Sequence, residues 1–153
     1  MSGGFALVTD SILILRKLAD LQRHREELRE FEAITVEAYR ADWKIERIVE
    51  RTLQMMIEIC CDVANHIIAE EGLRIGQSVA DSFRSLGEGG VLPAQLIPAM
   101  VSMGRFRNIV VHQYADVDDA IVVGILHEHL GDFAAFSEAI LAFLDRQRGA
   151  SPP

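Results

Sequence analysis

The chain of 153 residues is poor in the residues that mark several structural classes. It carries two cysteines, four prolines and eleven glycines, too few for a disulfide scaffold, a collagen-like repeat or a low-complexity chain. Aromatic residues make up only 7%. No apolar run reaches the ~18 residues that a membrane span needs. The opening MSGGFALVTD lacks a basic region followed by an apolar stretch, so no secretory signal is expected and the cytoplasm is the default address. Positive charge is scarce as well. Fifteen Lys and Arg against 23 Asp and Glu leave a formal charge of −8. That balance argues against a general phosphate-neutralising coat but leaves room for a local basic site. What the chain does have is apolar residues, 50% of the total, enough to exclude native disorder and to build one real core.

The apolar residues recur at helical spacing almost throughout. Ile12, Leu15, Leu18, Leu21 and Leu28 place a helix over about Ser11 to Phe31. A longer one is expected from about Ala41 to Glu71, with Asp42 as N-cap and Gly72 at its end. A short helix follows over Ser78 to Leu86, stopped by GEGG. Another spans Pro93 to His112, its true start set by Pro93 or Pro98. Asp116 is the expected cap of a last stretch to Arg146, with a break near Gly131. No run alternates cleanly enough for a strand. The expectation is an all-α, up-down bundle of four to five helices with a short crossover helix. It forms one domain over residues 5–147, with a disordered tail at 148–153 and a frayed end before Phe5.

The long middle helix divides into two faces at roughly 100° per residue. Ile45, Val49, Leu53, Met56, Ile57, Cys60, Val63, Ala64, Ile67 and Ile68 form the apolar side. Arg40, Lys44, Arg47 and Arg51, spaced by four, three and four, form a basic ridge on the other, continued by Gln54, Glu58, Asp62, Asn65 and His66. One reading is a solvated face laced by pairs of Arg47 and Arg51 with Glu46 and Glu50. The other is a cleft whose basic end meets phosphates and whose Glu58/Asp62/Asn65/His66 end meets chemistry. Cys60 and Cys61 read as structural thiols, since no further cysteine completes a metal cluster. His127 and His129, two apart on a helix, point away from each other and make no zinc pair. No metal and no cofactor is expected. GEGGV lacks the following Lys-Ser/Thr of a phosphate loop. Trp43 and the seven Phe sit at core-like spacings rather than as a stacking platform among cations.

One segment carries chemistry: Met103 to Tyr114, MGRFRNIVVHQY. His112 can exchange a proton near neutral pH, because imidazole ordinarily titrates close to ~6.5. Arg107 offers a permanently charged, forked donor for phosphate oxygens. RNA brings its own nucleophile, the 2′-hydroxyl, so these two groups suffice in principle for strand cleavage to a 2′,3′-cyclic phosphate. Ile109, Val110 and Val111 are expected to pack inward. On an ideal helix Arg107 and His112 lie roughly 140° apart, whereas Asn108 and His112 are nearly aligned. The pair converges only if Arg107 reaches round, the helix end distorts or a second subunit completes the site. Otherwise Arg107 makes a surface ion pair, His112 sits favourably at a helix C-terminus and Tyr114 anchors a loop.

The string Arg107-Asn108-x-x-x-His112-x-Tyr114 resembles the signature of the HEPN superfamily of helical bundles, in the form seen in its HepT branch. The stretch Val49 to Ile68 is similar to the corresponding helix of that branch, and the resemblance covers about residues 5–145. It implies a homodimer in which two Arg/His motifs face each other across a cleft. It further implies a metal-independent endoribonuclease toxin of a type VII-like toxin–antitoxin pair, acting on RNA. The implied partner is an MntA-like nucleotidyltransferase antitoxin that transfers AMP onto the motif tyrosine, here Tyr114; the added phosphate would repel an RNA phosphate beside His112. By position, Arg107 becomes the transition-state stabiliser, His112 the acid–base group and Asn108 a supporting polar residue. Glu58, Asp62, Asn65 and His66 are candidates for the cleft wall, and Arg40, Lys44, Arg47, Arg51 and Arg105 for RNA contacts. No membrane is involved. The alternative is a non-catalytic HEPN module serving as the dimeric partner of a nucleotidyltransferase.

Overall fold

Local sequence signals set most helix boundaries in the computed structural model, which describes the backbone of residues 2–150 and the side chains of residues 11–149. Helix α1 runs from Ser2 to Leu28 and continues as a 3₁₀ turn over Arg29–Phe31. Helix α3, Trp43–Glu71, starts where the Asp42 carboxylate accepts the Lys44 N–H at 3.0 Å. It ends at Gly72, whose φ of 63° is the left-handed cap that lets Leu73 N–H reach back to the Ile68 carbonyl. Ser78 caps α4, Val79–Glu88, by accepting the Asp81 N–H at 3.0 Å. A 3₁₀ turn, Ala94–Leu96, leads into α5, Ile97–His112, with Pro98 in its first turn, where a missing N–H costs nothing. Among the described residues there is no strand, and no helix is long and apolar enough to cross a membrane.

The all-α expectation holds, with seven α-helices among the described residues where four or five were expected. Helix α2, Val36–Ala41, was not foreseen; Thr35 caps it, its hydroxyl accepting the Ala38 N–H at 3.1 Å. Arg40 therefore belongs to α2 and not to the ridge on α3. The last stretch divides into α6, Asp119–Glu128, and α7, Leu130–Ala150, and the break falls at His129 rather than Gly131. The cap of α6 is Asp118, not Asp116, because Asp116 is taken up in a 3₁₀ turn, Tyr114–Asp116. Helix α7 runs through Gly149 to Ala150, so the chain is still helical where a tail was expected from 148; Ser151 to Pro153 lie outside the described residues. Ser2 to Gly4 likewise belong to α1.

Helix α3 lies at the centre, packed against α1, α4 and α5, with α7 against α1 and α2 against α6. Its foreseen apolar face is buried from Val49 to Ile68, and Ile45 is half-buried. Leu21 and Leu28 of α1, Phe83 and Leu86 of α4, Met100 of α5 and Phe133 and Phe136 of α7 complete one continuous core. Helices α4 and α5 pack backbone to backbone at Gly104, where an added Cβ would stand 2.8 Å from the Ala80 backbone nitrogen. Arg74 ties the loop between α3 and α4 to α4 through Asp81 at 2.7 Å and Glu88 at 2.7 Å. That pairing, with the Gln77 N–H, holds the Asp81 carboxyl well below the usual carboxylate range.

Trp43 departs from its expected place in the core: at the start of α3 it is 59% exposed, with the Arg47 and Lys44 cations over its ring. Glu50, by contrast, is buried. The two histidines near the α6–α7 break do diverge, His127 Nε2 lying 2.7 Å from the Ile34 carbonyl and His129 Nδ1 2.9 Å from Asp132.

Candidate functional site

The motif occupies the C-terminal half of α5 and the turn beyond it. Met103, Phe106 and Val110 are buried and fix the roll of the helix, while Ile109 is half-buried and Val111, against expectation, exposed. That roll lays Arg107 in the groove between α3 and α5. Its Nε and Nη2 donate to a single oxygen, Oε1 of Glu58, at 3.2 and 3.1 Å, and Nη1 donates to Asn108 Oδ1 at 3.3 Å. Gln54, one turn before Glu58, donates to the same Oε1 at 3.1 Å. Glu58 thus orients the guanidinium from across 49 residues of sequence. Charge-assisted bonds of this kind are stronger than neutral ones, and the half-buried setting screens them less than a surface pair. Part of the fork remains available for an incoming anion.

His112 is the last residue of α5 and is exposed. Gln113, at φ −133° and ψ 49°, ends the helix while its N–H still reaches the Ile109 carbonyl at 2.8 Å. Tyr114 opens the 3₁₀ turn and is 62% exposed. Five positions of helix separate Arg107 from His112, about 7.5 Å along the axis and ~140° around it. Within one chain the guanidinium lies in the α3–α5 groove and the imidazole faces solvent.

The polar stripe of α3 does not form one wall. Only Glu58 reaches the motif. Asp62 turns to Lys17 of α1 at 3.4 Å, and Asn65 accepts the Ser82 hydroxyl of α4 at 3.2 Å, while His66 is half-buried. The stripe divides because α1 and α4 flank α3 on either side of it. An open cleft beside the start of α4, lined by Cys61, Asn65, Ser78 and Ser82, does not include Arg107 or His112. Burial raises the thiols of Cys60 and Cys61 above their ordinary range, Arg107 partly opposing this at Cys61, in keeping with structural cysteines.

The basic candidates also separate. Arg40 pairs with Asp119 at 3.1 Å. Lys44, Arg47, Arg51 and Arg105 are exposed and make no ion pair among the described residues. The expected pairs with Glu46 and Glu50 do not form, since these carboxylates turn toward Asp119 instead. Oxygens of Glu46, Glu50 and Asp119 converge within 4.8 Å of one another, the grouping among the described residues with the spacing to hold a cation. One of the three, Asp119, is already engaged by Arg40, and the Tyr39 hydroxyl nearby donates to the Glu46 backbone carbonyl at 3.4 Å.

Burial first, and then Glu46 and Asp119, push the Glu50 carboxyl above its usual range. The folded chain therefore holds that proton more tightly than the unfolded chain, so the cluster favours folding in acid and opposes it as pH rises through the raised range. Glu50→Gln keeps the volume and removes the titrating group. It is expected to raise Tm by a few degrees at pH 7 and to lose that gain near about pH 4, where unperturbed glutamates also hold their protons. Melts of both proteins at the two pH values check this; an equal Tm at pH 7 counts against it.

An all-helical bundle with Arg-Asn-x-x-x-His-x-Tyr at a helix end defines a protein of the HEPN type. Residues 21–140 match the model of the family described as ribonuclease HepT-like. An mRNA nuclease HepT of Shewanella oneidensis is 32% identical over 130 residues, covering 85% of this chain and 97% of its own length. A tRNA nuclease HepT of Aphanizomenon flos-aquae is 26% identical over 137 residues, covering 88% and 92%. The solved tri-AMPylated HEPN toxin of Shewanella oneidensis, in complex with its MNT antitoxin, superposes with a TM-score of 0.77 at 32% identity, covering 84% of this chain and 96% of its own. The chain belongs to the ribonuclease HepT-like family.

Proposed function

We propose that the chain is a metal-independent endoribonuclease toxin, active as a homodimer and neutralised by an MntA-like nucleotidyltransferase antitoxin. The observation that carries this reading is the division of labour along α5: a guanidinium held in place by Glu58 and Asn108, and an exposed imidazole one and a half turns further on. In the homodimer we propose, a second copy brought against this face supplies the histidine for each arginine. In the step we assign to the pair, the RNA 2′-oxygen bonds to phosphorus as the bond to the 5′-oxygen breaks. The 2′-proton passes to His112 and is returned to the departing 5′-oxygen, while Arg107 stabilises the charge on the non-bridging oxygens. The products are a 2′,3′-cyclic phosphate and a 5′-hydroxyl. Asn108 steadies Arg107.

The exposed Tyr114 hydroxyl is the proposed site of control. It attacks the α-phosphorus of ATP bound by the antitoxin, the Tyr–O–P bond forms, pyrophosphate leaves and the phenolic proton goes to solvent. The attached phosphate places negative charge two residues from His112 and repels RNA. The test is intact mass after co-expression with an MntA-like nucleotidyltransferase: a gain of one or more AMP units, lost in Tyr114→Phe, is expected, and an unmodified mass beside an active partner contradicts this control. The Arg107–Glu58 pair also favours a second reading, a non-catalytic HEPN module partnering the nucleotidyltransferase, since it partly neutralises the arginine. That reading predicts co-purification without growth arrest.

A further inference from the structure

We propose that Trp43, with Arg47 and Lys44, is a stacking platform that takes a nucleobase of single-stranded RNA and aligns the strand along α3 toward Arg107. The inference rests on the ribonuclease reading and names the form of RNA that the site accepts. Trp43 is the chain's single tryptophan, and it lies 59% exposed instead of in the core. Its neighbours are cations rather than an apolar rim. The Arg47 guanidinium lies over the ring, 4.7 Å from its centroid, and the Lys44 ammonium over it at 5.8 Å; both are exposed side chains that can swing aside to meet phosphates as a base takes the ring face.

Charge is sorted on this stretch of helix. Glu46 and Glu50 turn to the Tyr39 and Asp119 side, leaving Lys44, Arg47 and Arg51 exposed without an ion-pair partner among the described residues. In a chain of net charge −8, such a run of unneutralised cations is a local attraction for an anion. Spacings of three and four keep Lys44, Arg47 and Arg51 on one face, pointing along the helix to Glu58 and the arginine it holds. Trp43 to Glu58 is roughly 22 Å of helix, within reach of a short extended strand.

An indole beside cations binds what carries both a flat π-face and phosphates. Aromatic stacking is worth having only where bases are unstacked, which selects single strands over duplexes, whose base faces are already covered. The partly charged Trp43 surface suits this ligand better than an apolar protein segment, which would have to desolvate Arg47 and Lys44 to reach the ring.

The experiment uses the His112→Ala protein, expected to cut RNA at least ~10²-fold more slowly, and reads both the emission of the single tryptophan and the anisotropy of a labelled oligouridylate. Single-stranded oligouridylate is expected to quench the emission as it binds, and a matched RNA duplex to quench it far less. Trp43→Ala on the same background is expected to bind about tenfold more weakly, with Trp43→Phe keeping most of the affinity. Arg47→Ala is expected to weaken binding and lower the slope of log affinity against log salt by about one. Binding seen by anisotropy with unchanged emission, or undiminished in Trp43→Ala, overturns the platform and leaves the ribonuclease reading standing. Emission that responds to the antitoxin but not to RNA makes this a protein contact and overturns the proposal. No RNA binding by either readout overturns both the platform and the reading beneath it.

Discussion

Alanine at His112 is expected to slow RNA cleavage by ~10²–10⁴-fold, the usual loss when a positioned acid–base group is removed. The substitution should leave the fold alone, because His112 is exposed at the last position of α5 and supports no packing. Growth arrest on expression should disappear with it. Arg107→Ala is expected to cost ~10²–10³-fold through the lost charge stabilisation. It also leaves the Glu58 carboxylate without its partner, although that side chain is exposed enough for water to replace the arginine. Glu58→Ala should fall between these and the parent: the guanidinium survives but loses the carboxylate that aims it, so kcat drops while Arg107 is still present. Initial rates on one labelled RNA, with far-UV circular dichroism on each protein, measure all three. A His112→Ala protein that cleaves at the parental rate removes His112 from the mechanism.

The largest structural effect is expected at Gly104. Within a helix, Gly→Ala ordinarily stabilises by about 1 kcal/mol through backbone entropy and propensity. Here a Cβ would lie 2.8 Å from the Ala80 nitrogen and 2.9 Å from its Cα. Both are backbone atoms of α4, so no flexible side chain can give way, and the two helices must part. Overpacking of this kind costs about 1–3 kcal/mol and reverses the sign of the substitution. Gly104→Ala is therefore expected to lower Tm by several degrees. Since Gly104 lies one turn before Arg107, the shifted helix should also pull the guanidinium from Glu58 and reduce cleavage. Gly124 of α6 is the control: a Cβ there meets nothing within 4 Å, and Gly124→Ala should gain stability. If both glycines respond alike in thermal melts, the close approach of α4 and α5 is not what holds position 104.

Most of the framework was legible where a local signal has one reading. Asp42, Gly72 and Ser78 act as the caps their types suggest, and the apolar face of α3 is buried nearly as the 3.6-residue period requires. The signal fails where two aspartates compete: Asp116 and Asp118 both suit a cap, and the 3₁₀ turn that absorbs the first decides for the second. The six residues of α2 are too short to show a period, though Thr35 followed by Val36 and Glu37 carried a capping signal that could have marked it. Angular position on a helix says which way a side chain leaves, but not which neighbour it meets. That is why Glu58, Asp62 and Asn65, all on one stripe, end on three different helices. The Glu58–Arg107 pair, 49 residues apart, belongs to tertiary packing alone. The i, i+4 spacing of Gln54 and Glu58 was the available hint of a network. Trp43 misled because its spacing looked core-like, whereas at the first position of α3 it is exposed with two cations over its ring.

The most direct measurement of the central claim is cleavage by mixed dimers, made by co-expressing differently tagged Arg107→Ala and His112→Ala chains and purifying on both tags. If each site joins the arginine of one copy to the histidine of the other, one of the two sites in the mixed dimer is fully intact, and about half the parental activity returns from two inactive parents. If the mixed dimer is as inactive as either parent, the two side chains do not act on one phosphodiester from two copies, and the account is wrong.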